Sequence, residues 1–334
     1  MKKVKKGNKE FLLKTFIAFI AFIAFIAFIA SPLLASKKNV GTSEAQFMKI
    51  GIGNARAMGL GNSFVALADG IESIGFNPAG LARSNTKELS VATSRWIEDF
   101  NGNFIAFGLP KMKSNFAFNL AYFTAGDFEV RDENGRPVSG SDVFVKTGFA
   151  NAAIAWSLPS EKTYIGSNIK MVYEDYSGAS TSKIAFDFGV LGKYNNRWSW
   201  GTSLINLSGD SKEMPYSVRM GTAYKSPYYV TGSLEMIQHR DTRTKIAAGM
   251  EIELPPVEDL GTTYLRTGYT TSDSHGFSEM SLLKSLNLHD TSGITFGFGI
   301  DTQSSSLYGV SFDYALVPMG SLGTTHHFSL KFRF

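Results

Sequence analysis

Apolar and polar side chains alternate along most of the chain after residue 35, in stretches of about ten residues. In the stretch 116–122, large apolar side chains occupy every second position, and Ala or Asn fills the positions between them. The stretches 182–194, 243–253 and 306–316 repeat this pattern. Because successive side chains of a β-strand point to opposite faces, each stretch predicts a strand with one apolar face and one small or polar face.

Fourteen such strands can be placed between residue 88 and the C-terminus. The connections after the even-numbered strands are mostly short, whereas the two longest, 127–145 and 271–292, follow odd-numbered strands. An even strand number, with short turns at one end and long loops at the other, is typical of bacterial outer-membrane barrels. The predicted strands are 88–97, 102–110, 115–126, 146–157, 162–175, 182–194, 197–207, 215–225, 228–239, 243–253, 261–270, 293–301, 306–316 and 325–334.

A soluble β-sandwich would produce the same alternation, so the choice between sandwich and membrane barrel depends on other features. The faces opposite the large apolar side chains are rich in Gly, Ala and Ser, whereas the outer face of a sandwich usually carries more Lys and Glu. Aromatic residues gather at predicted strand ends, as they do in the girdles of membrane barrels: Trp96, Phe100, Trp156, Tyr164, Tyr194, Trp198, Trp200, Tyr228 and Tyr229. We therefore predict an all-β fold, a transmembrane antiparallel barrel of about 14 strands.

The first 35 residues have the parts of a secretory signal peptide. Six lysines precede five Phe-Ile-Ala triplets at 16–30, and Ala35-Ser36 offers a cleavage point. An uncleaved membrane anchor is the alternative, because 16–35 is almost long enough to span a bilayer. Pro32 would break a helix near its end, which favours cleavage.

Composition and charge exclude several classes of protein. The chain has 334 residues and no cysteine, which excludes a disulfide scaffold, a thiolate metal site and a Cys nucleophile. The net charge of +4 is misleading, because residues 1–35 hold six of the 33 basic side chains and only one of the 29 acidic ones. The rest of the chain carries 27 basic and 28 acidic side chains. A nucleic-acid-binding protein would carry a basic surface on its folded part, so no nucleic-acid partner is expected.

No catalytic or metal-binding pattern is present, and we expect no enzyme activity, metal or cofactor. A G-x-S-x-G motif is absent. The adjacent His326 and His327 would point to opposite faces of a strand, so they could not chelate one ion. Glu251 and Glu253 share a strand face and could act as paired carboxylates. The simpler interpretation is lumen-facing charges opposite Lys331 and Arg333.

The region 36–86, before the first strand, is too long for a simple connection and predicts a compact plug. Phe64 to Ala68 would form a short helix or strand, with turns at Asp69-Gly70 and Asn77-Pro78. The Gly51-x-Gly53 and Gly59-x-Gly61 pairs could suggest a dinucleotide-binding loop. Neither pair continues as G-x-G-x-x-G within a strand–turn–helix unit, so this interpretation is disfavoured.

Two parts of the sequence carry a resemblance to a known family. The first runs from Ala55-Arg56-Ala57 through Val65–Asp69 to Asn77-Pro78-Ala79-Gly80, and the second is the C-terminal stretch Asp313–Phe334. Together they resemble the PorV/PorQ-like family of outer-membrane proteins, which is related to the FadL-type long-chain fatty-acid transporters. After the predicted signal peptide at 1–35, the resemblance implies a hatch segment at 36–86 in the barrel lumen and a transmembrane barrel at 87–334.

The resemblance also implies roles for particular residues. Asn77, Pro78, Ala79 and Gly80 would form the hatch motif, and we expect them to gate the lumen, although a static turn is an equal alternative. Alternating residues at the C-terminus would be the signal that the outer-membrane assembly machinery reads: Phe328, Leu330, Phe332 and Phe334.

The function that follows is the passage of hydrophobic small molecules, such as long-chain fatty acids, through the bacterial outer membrane. The expected partners are outer-membrane lipid, the assembly machinery and a hydrophobic ligand. Two alternatives remain open. One is a PorV-like surface partner of proteins exported by a type IX secretion system, and the other is a structural barrel without transport. Fold alone cannot decide among these functions.

Overall fold

The computed structural model describes residues 43–51, 53–97, 100–111, 114–159, 162–209, 214–242, 244–256, 261–271, 293–302 and 308–334. The predicted signal peptide and residues 36–42 of the predicted hatch lie outside the described residues. So does 272–292, which is most of the second predicted long loop.

The fourteen predicted strands are all present in the described parts of the chain. They are β1 (Glu88–Arg95), β2 (Asn101–Pro110), β3 (Ser114–Arg131), β4 (Pro137–Ser157), β5 (Thr163–Tyr176), β6 (Ala179–Lys193), β7 (Trp198–Leu207), β8 (Ser217–Lys225), β9 (Val230–His239), β10 (Lys245–Glu253), β11 (Thr262–Thr270), β12 (Ile294–Asp301), β13 (Gly309–Pro318) and β14 (Thr324–Arg333). The helical elements are α1 (Ala55–Gly59) and the 3-10 helices η1 (Gln46–Lys49), η2 (Ile71–Ser73), η3 (Pro78–Arg83) and η4 (Gly320–Leu322).

The sheet closes on itself into a barrel. Each strand pairs with its neighbours in sequence order, and β1 pairs with β14 to complete the ring. This last pairing is antiparallel and runs from Glu88 opposite Arg333 to Arg95 opposite His326. Closure leaves no strand edge unpaired, which is the condition for a sheet to cross hydrocarbon.

The two faces of the wall differ as the alternation predicts. On β3, the outward Phe118 and Leu120 are 56% and 58% exposed, whereas Ala117 and Asn119 face the lumen and are buried. The outward Ile184 and the inward Ala185 repeat this difference on β6. An outer surface of large apolar side chains is stable against lipid and not against water. The protein is therefore a transmembrane barrel of the bacterial outer-membrane type.

Strands β3 and β4 are longer than predicted, and the predicted loop 127–145 is wrong over most of its length. The pairs Phe128–Val143 and Arg131–Pro137 extend this hairpin, and only 132–136 connects its strands. The charged residues in this stretch suggest a loop, but a strand that projects beyond the bilayer needs no apolar face. The barrel wall is therefore taller at β3–β4 than along β7–β14.

Both ends of the barrel domain meet at one end of the barrel, where Lys87 and Phe334 exchange two backbone hydrogen bonds. In outer-membrane barrels the short turns lie in the periplasm. The turns at this end include the short ones after β4, β6 and β8, so we call it the periplasmic end and the opposite end external. The predicted aromatic girdle is present near the periplasmic end, where Tyr194, Trp198 and Tyr228 are exposed.

Residues 43–86 precede β1, and we call this stretch the N-terminal segment. Within the described chain no helix is both long and apolar enough to cross a membrane. The predicted helix or strand at 64–68 is wrong, because this stretch forms a turn with Leu67 donating to the carbonyl of Phe64. Burial against the wall, and not local propensity, decides its conformation.

Candidate functional site

Carboxylates of the barrel wall hold backbone amides of the N-terminal segment. Glu235 on β9 accepts hydrogen bonds from the amides of Phe64 and Val65 at 2.6 and 2.8 Å. Its other oxygen pairs with Arg219 Nε at 2.6 Å. A buried carboxylate is costly unless it is paired in this way, so the arrangement fixes where the segment lies. Two further pairs repeat it: Glu88 with the amide of Ile71, and Glu174 with the amide of Ala45.

Glycines on the lumenal face of the strands let the segment's backbone approach the wall closely. A Cβ placed on Gly166 would lie 2.4 Å from the carbonyl carbon of Pro78, and one on Gly201 would lie 2.2 Å from the carbonyl oxygen of Val65. Backbone atoms cannot give way as a side chain can, so any other residue at these positions would displace the segment. Three more glycines of the wall lie equally close to the backbone of residues 59–61: Gly249, Gly268 and Gly297.

Asn77 joins the segment to the wall at the start of η3. Its Nδ2 donates to the carbonyl oxygens of Val65 and Val190, each at 3.0 Å. Its Oδ1 accepts from the amide of Ala79 at 3.1 Å, which caps η3, and Pro78 occupies the first turn. The sequence Asn-Pro-Ala thus forms a helix start in which the asparagine also binds β6.

The residues predicted to gate the lumen are contiguous and buried. Asn77 and Pro78 lie against Gly189 and Gly166 on β6 and β5. Gly80 packs against Ala68 so closely that a Cβ there would overlap the Ala68 backbone. None of the four residues Asn77–Gly80 lines any of the cavities described below. Their gating role stays a prediction.

A cavity of about 680 Å³ lies at the external end, above the N-terminal segment. Its volume falls within the usual range of small-molecule sites. Phe47 from η1 and Phe123 from β3 approach with ring centroids 5.5 Å apart. The apolar residues of its lining are Phe47, Ile50, Met58, Trp96, Ile97, Phe100, Phe123, Val145, Val317, Pro318 and Met319, and the polar ones include Thr147, Thr270, Thr295, Lys49 and Lys245.

Trp96 and Phe100 belong to this cavity, and the prediction that they form part of the lipid-facing girdle is wrong. Trp96 also contacts the ring of His327, which faces the lumen. Trp96, Ile97 and Phe100 thus lie on the lumenal side, against the external cavity, and not on the outer surface.

Two further cavities lie at the periplasmic end, on the other side of the segment. The smaller, about 320 Å³, is lined by Arg56, Ala66, Leu67 and Glu251 among others. The larger, about 1400 Å³, includes Arg83 and Lys111, with strand ends and turns around them. The N-terminal segment therefore lies between an apolar external cavity and polar periplasmic ones.

A cluster of buried ion pairs attaches α1 to the wall. Arg56 donates from Nε and Nη2 to the two oxygens of Glu251 at 2.8 and 2.7 Å. Glu251 also accepts from Arg266 Nε at 2.7 Å, and Arg266 Nη1 donates to Asp313 at 2.6 Å. Sequence reasoning missed this cluster because alternation does not pair residues 195 positions apart. The available signal was that Arg56 is the only basic residue between 50 and 82.

The prediction that Glu251 and Glu253 stand opposite Lys331 and Arg333 is right about the lumenal face of Glu251 and wrong about the partners. Glu253 lies 3.3 Å from Lys225. Lys331 pairs with Glu72 of the N-terminal segment at 2.9 Å, and Arg333 pairs with Asp301 of β12. Charges on these strands therefore bind to the N-terminal segment or to nearby strands.

The described histidines have structural partners. His327 lies inside, with Nδ1 2.8 Å from Ser94 Oγ and Nε2 3.1 Å from Thr325 Oγ1. His326 is on the other face, 2.9 Å from the Tyr314 hydroxyl, which confirms that the two rings point apart. Among the residues that the structure describes, no group of three metal-ligating side chains comes together. His275 and His289 lie outside the described residues.

The C-terminal strand has the alternation expected of its predicted role. Ser329 faces the lumen and is buried, so Phe328, Leu330 and Phe332 face outward. Phe334 is exposed at the periplasmic end, and its ring stacks on that of Phe107 with the ring centroids 6.4 Å apart. Recognition by the assembly machinery stays a prediction.

Solved structures match the fold, although no protein-family profile matches the chain and no curated protein matches its sequence. The toluene transporter TbuX of Ralstonia pickettii aligns with a TM-score of 0.54 at 10% identity, over 84% of this chain and 97% of that one. A deletion mutant of the monoaromatic hydrocarbon channel TodX aligns at 0.52 and 12% identity, over 79% and 93%. A Pseudomonas aeruginosa FadL homologue aligns at 0.50 and 11% identity, over 88% and 98%. At such identities the likeness establishes the fold, and the ligand has to be argued from the lumen.

Proposed function

We propose that this barrel passes hydrophobic small molecules, such as long-chain fatty acids, across the bacterial outer membrane. The observation that carries the proposal is the external cavity of about 680 Å³, whose lining is mostly apolar. Proteins of the same fold are described as a toluene transporter, monoaromatic hydrocarbon channels and a FadL homologue. We extend this kind of ligand to the present chain because its cavity has the matching chemistry.

The ligand would enter between the external loops and bind in the cavity. Contact with Trp96, Phe100 and Phe123 would remove its apolar surface from water, which is the main source of affinity for such a molecule. The threonines and lysines of the lining would orient any polar end. The N-terminal segment would serve as the hatch below, so passage needs that segment to change its arrangement.

Transport by purified protein in liposomes tests the proposal, with a cavity-filling variant as the comparison. Thr147 faces the cavity and is buried, and its hydroxyl has no hydrogen-bond partner within the described structure. Thr147→Trp would therefore fill the cavity without removing a hydrogen bond. We expect it to abolish binding and uptake of a labelled fatty acid. Ala150→Trp adds the same ring to the lipid-facing side of the same strand and should leave uptake unchanged.

Equal uptake by wild type and Thr147→Trp would contradict the proposal, provided that both show heat-dependent gel mobility. The predicted role of Asn77 and Pro78 is measured in the same assay. If replacing both by alanine leaves uptake unchanged, these residues do not gate the lumen.

The PorV/PorQ-like part of the resemblance, and with it a role in protein secretion, rests on the two sequence motifs alone. A secretion partner would engage exported proteins through its external loops and would not need an apolar cavity. Secretion that persists in a Thr147→Trp strain, together with no fatty-acid binding by the wild type, would favour this alternative.

We also propose that the assembly machinery reads the C-terminal residues Phe328, Leu330, Phe332 and Phe334. Their alternation places one apolar ridge on the outer face of the last strand. Removing Phe334 should reduce the amount of protein in the outer membrane, while refolding of the purified chain in detergent should be little changed.

A further inference from the structure

The partition between the external and periplasmic cavities is thin at one place. Met58, Gly61 and Asn62 line the external cavity from below. Arg56 and the stretch 66–67 line the smaller periplasmic cavity. Residues 56–66, which contain most of α1 and the turns after it, thus separate the two spaces by little more than the thickness of one short helix.

The partition is thicker on the side of η3. There Ile71, Ile74 and Leu81 form a buried core with Phe104 and Phe123 of the wall. Phe47 and Ile50, which line the external cavity, pack onto the same core. A ligand passing on this side would have to separate a continuous apolar core, at the cost of all its buried contacts.

The ion pair that attaches α1 can open at a lower cost, although residues 59–61 also lie on Gly249, Gly268 and Gly297 and would have to separate from them. Arg56 is 25% exposed at its side chain and borders the periplasmic cavity, whereas Glu251 is 6% exposed. When the pair separates, Glu251 keeps Arg266 and the Arg56 guanidinium can be hydrated in the polar cavity. Breaking a buried ion pair is costly chiefly when it leaves a charge unpaired, and this arrangement avoids that outcome.

We propose that α1, together with the turn to Asn62, is the part of the hatch that moves, and that the Arg56–Glu251 ion pair is the latch that keeps it closed. This inference rests on the proposed function and adds the element and the residues that control passage. Arg56 is a positioning residue: it holds α1 against β10 and does not need to touch the ligand.

The test compares two arginines of the same segment. Arg56→Gln removes the latch to the wall and leaves the Glu251–Arg266 pair in place. Arg83→Gln is the matched control, because Arg83 also borders the periplasmic cavities but its contacts are within the segment, with Ala68 and Asp69. The readouts are fatty-acid passage through liposomes, fatty-acid binding in detergent, and small-ion conductance in planar bilayers.

We expect Arg56→Gln to raise passage and conductance by about fivefold or more. Loss of the net free energy of one hydrogen-bonded pair would raise the population of the open arrangement by about this factor. Fatty-acid binding should stay within about twofold. Arg83→Gln should match the wild type in all three readouts. Arg56→Lys keeps the charge but loses the bidentate hydrogen bonding to Glu251, so its passage and conductance should lie between those of the wild type and Arg56→Gln. It serves as the second variant if Arg56→Gln does not give a heat-modifiable barrel.

The inference is overturned if Arg56→Gln and Arg83→Gln both behave as wild type, or if only the Asn77 and Pro78 replacements raise passage. Failure of the proposed function is distinguishable, because it appears as no fatty-acid binding by the wild type. Even then, a rise in ion conductance in Arg56→Gln alone would support the latch, and no rise would overturn it.

Discussion

The two halves of the N-terminal segment are held in the lumen by different forces. Around η3, Asn77 binds two carbonyls, the backbone of Pro78 lies directly on Gly166, and the Asn77 side chain lies on Gly189. Around α1, the backbone of residues 59–61 also lies on wall glycines, and a cluster of ion pairs centred on Glu251 adds to this contact. Close backbone packing tolerates almost no displacement, whereas an ion pair facing a polar cavity can exchange a partner for water. The α1 half is therefore the half whose attachment depends in part on an ion pair that can separate.

The largest effect is expected when the ion-pair cluster loses its centre. Glu251→Ala leaves Arg56 and Arg266 without their shared carboxylate, and removing one partner of a buried pair typically costs about 3–5 kcal/mol. The barrel should unfold at lower urea concentration in lipid vesicles and should conduct ions. Glu253→Ala, on the same face but paired at 3.3 Å with an exposed lysine, is the control and should be nearly neutral. Equal stability of the two variants would show that the ion pairs of Glu251 do not hold α1 to the wall.

A smaller effect is expected from adding one methyl group on the η3 side. A Cβ on Gly189 would lie 2.1 Å from Asn77 Oδ1, whereas one on Gly232 would meet nothing within 4 Å. Gly189→Ala should destabilise the barrel by about 1–3 kcal/mol through overpacking, and Gly232→Ala should not. Urea unfolding in lipid vesicles measures both. A stable Gly189→Ala barrel would show that η3 has room to move and would reverse the roles of the two halves.

The smallest effect concerns pH and the external end of the segment. Burial alone would raise the pKa of Asp241, but hydrogen bonds from Lys49 and Gln46 outweigh it and lower the pKa. Because the pKa of Asp241 is lower in the folded state, its charge stabilises the folded contact at any pH above the pKa of the unfolded chain, about 4. This contribution is lost as the pH falls through the pKa of the folded state.

The protection of amides 45–50 against hydrogen exchange, after correction for the intrinsic rate at each pH, should therefore decrease in acid. Glu174 also accepts from the amide of Ala45, and Glu44 just before this stretch pairs with Lys183, so both carboxylates contribute their own acid dependence. Asp241→Asn is the control, and it should remove only part of the effect. An identical acid response in this variant would show that Asp241 does not hold η1.

Most of the barrel could be predicted from sequence because lipid imposes the same alternation on every strand, with large apolar side chains outward and small or polar ones inward. Phe118 and Ala117 follow that rule and fall on the predicted faces. The rule does not apply beyond the bilayer, so the extension of β3 and β4 around Val143 was missed. It does not apply in the lumen either: the partners of Arg56 and Asn77 depend on how the segment folds against distant strands.

The most direct test of the account is a crystallographic map of the protein with a brominated fatty acid bound. If the barrel takes up hydrophobic molecules through its external cavity, an anomalous bromine peak should lie in that cavity, between Phe100 and Met58. A peak confined to the lipid-facing surface, in crystals of a barrel that still takes up the same fatty acid, would contradict it.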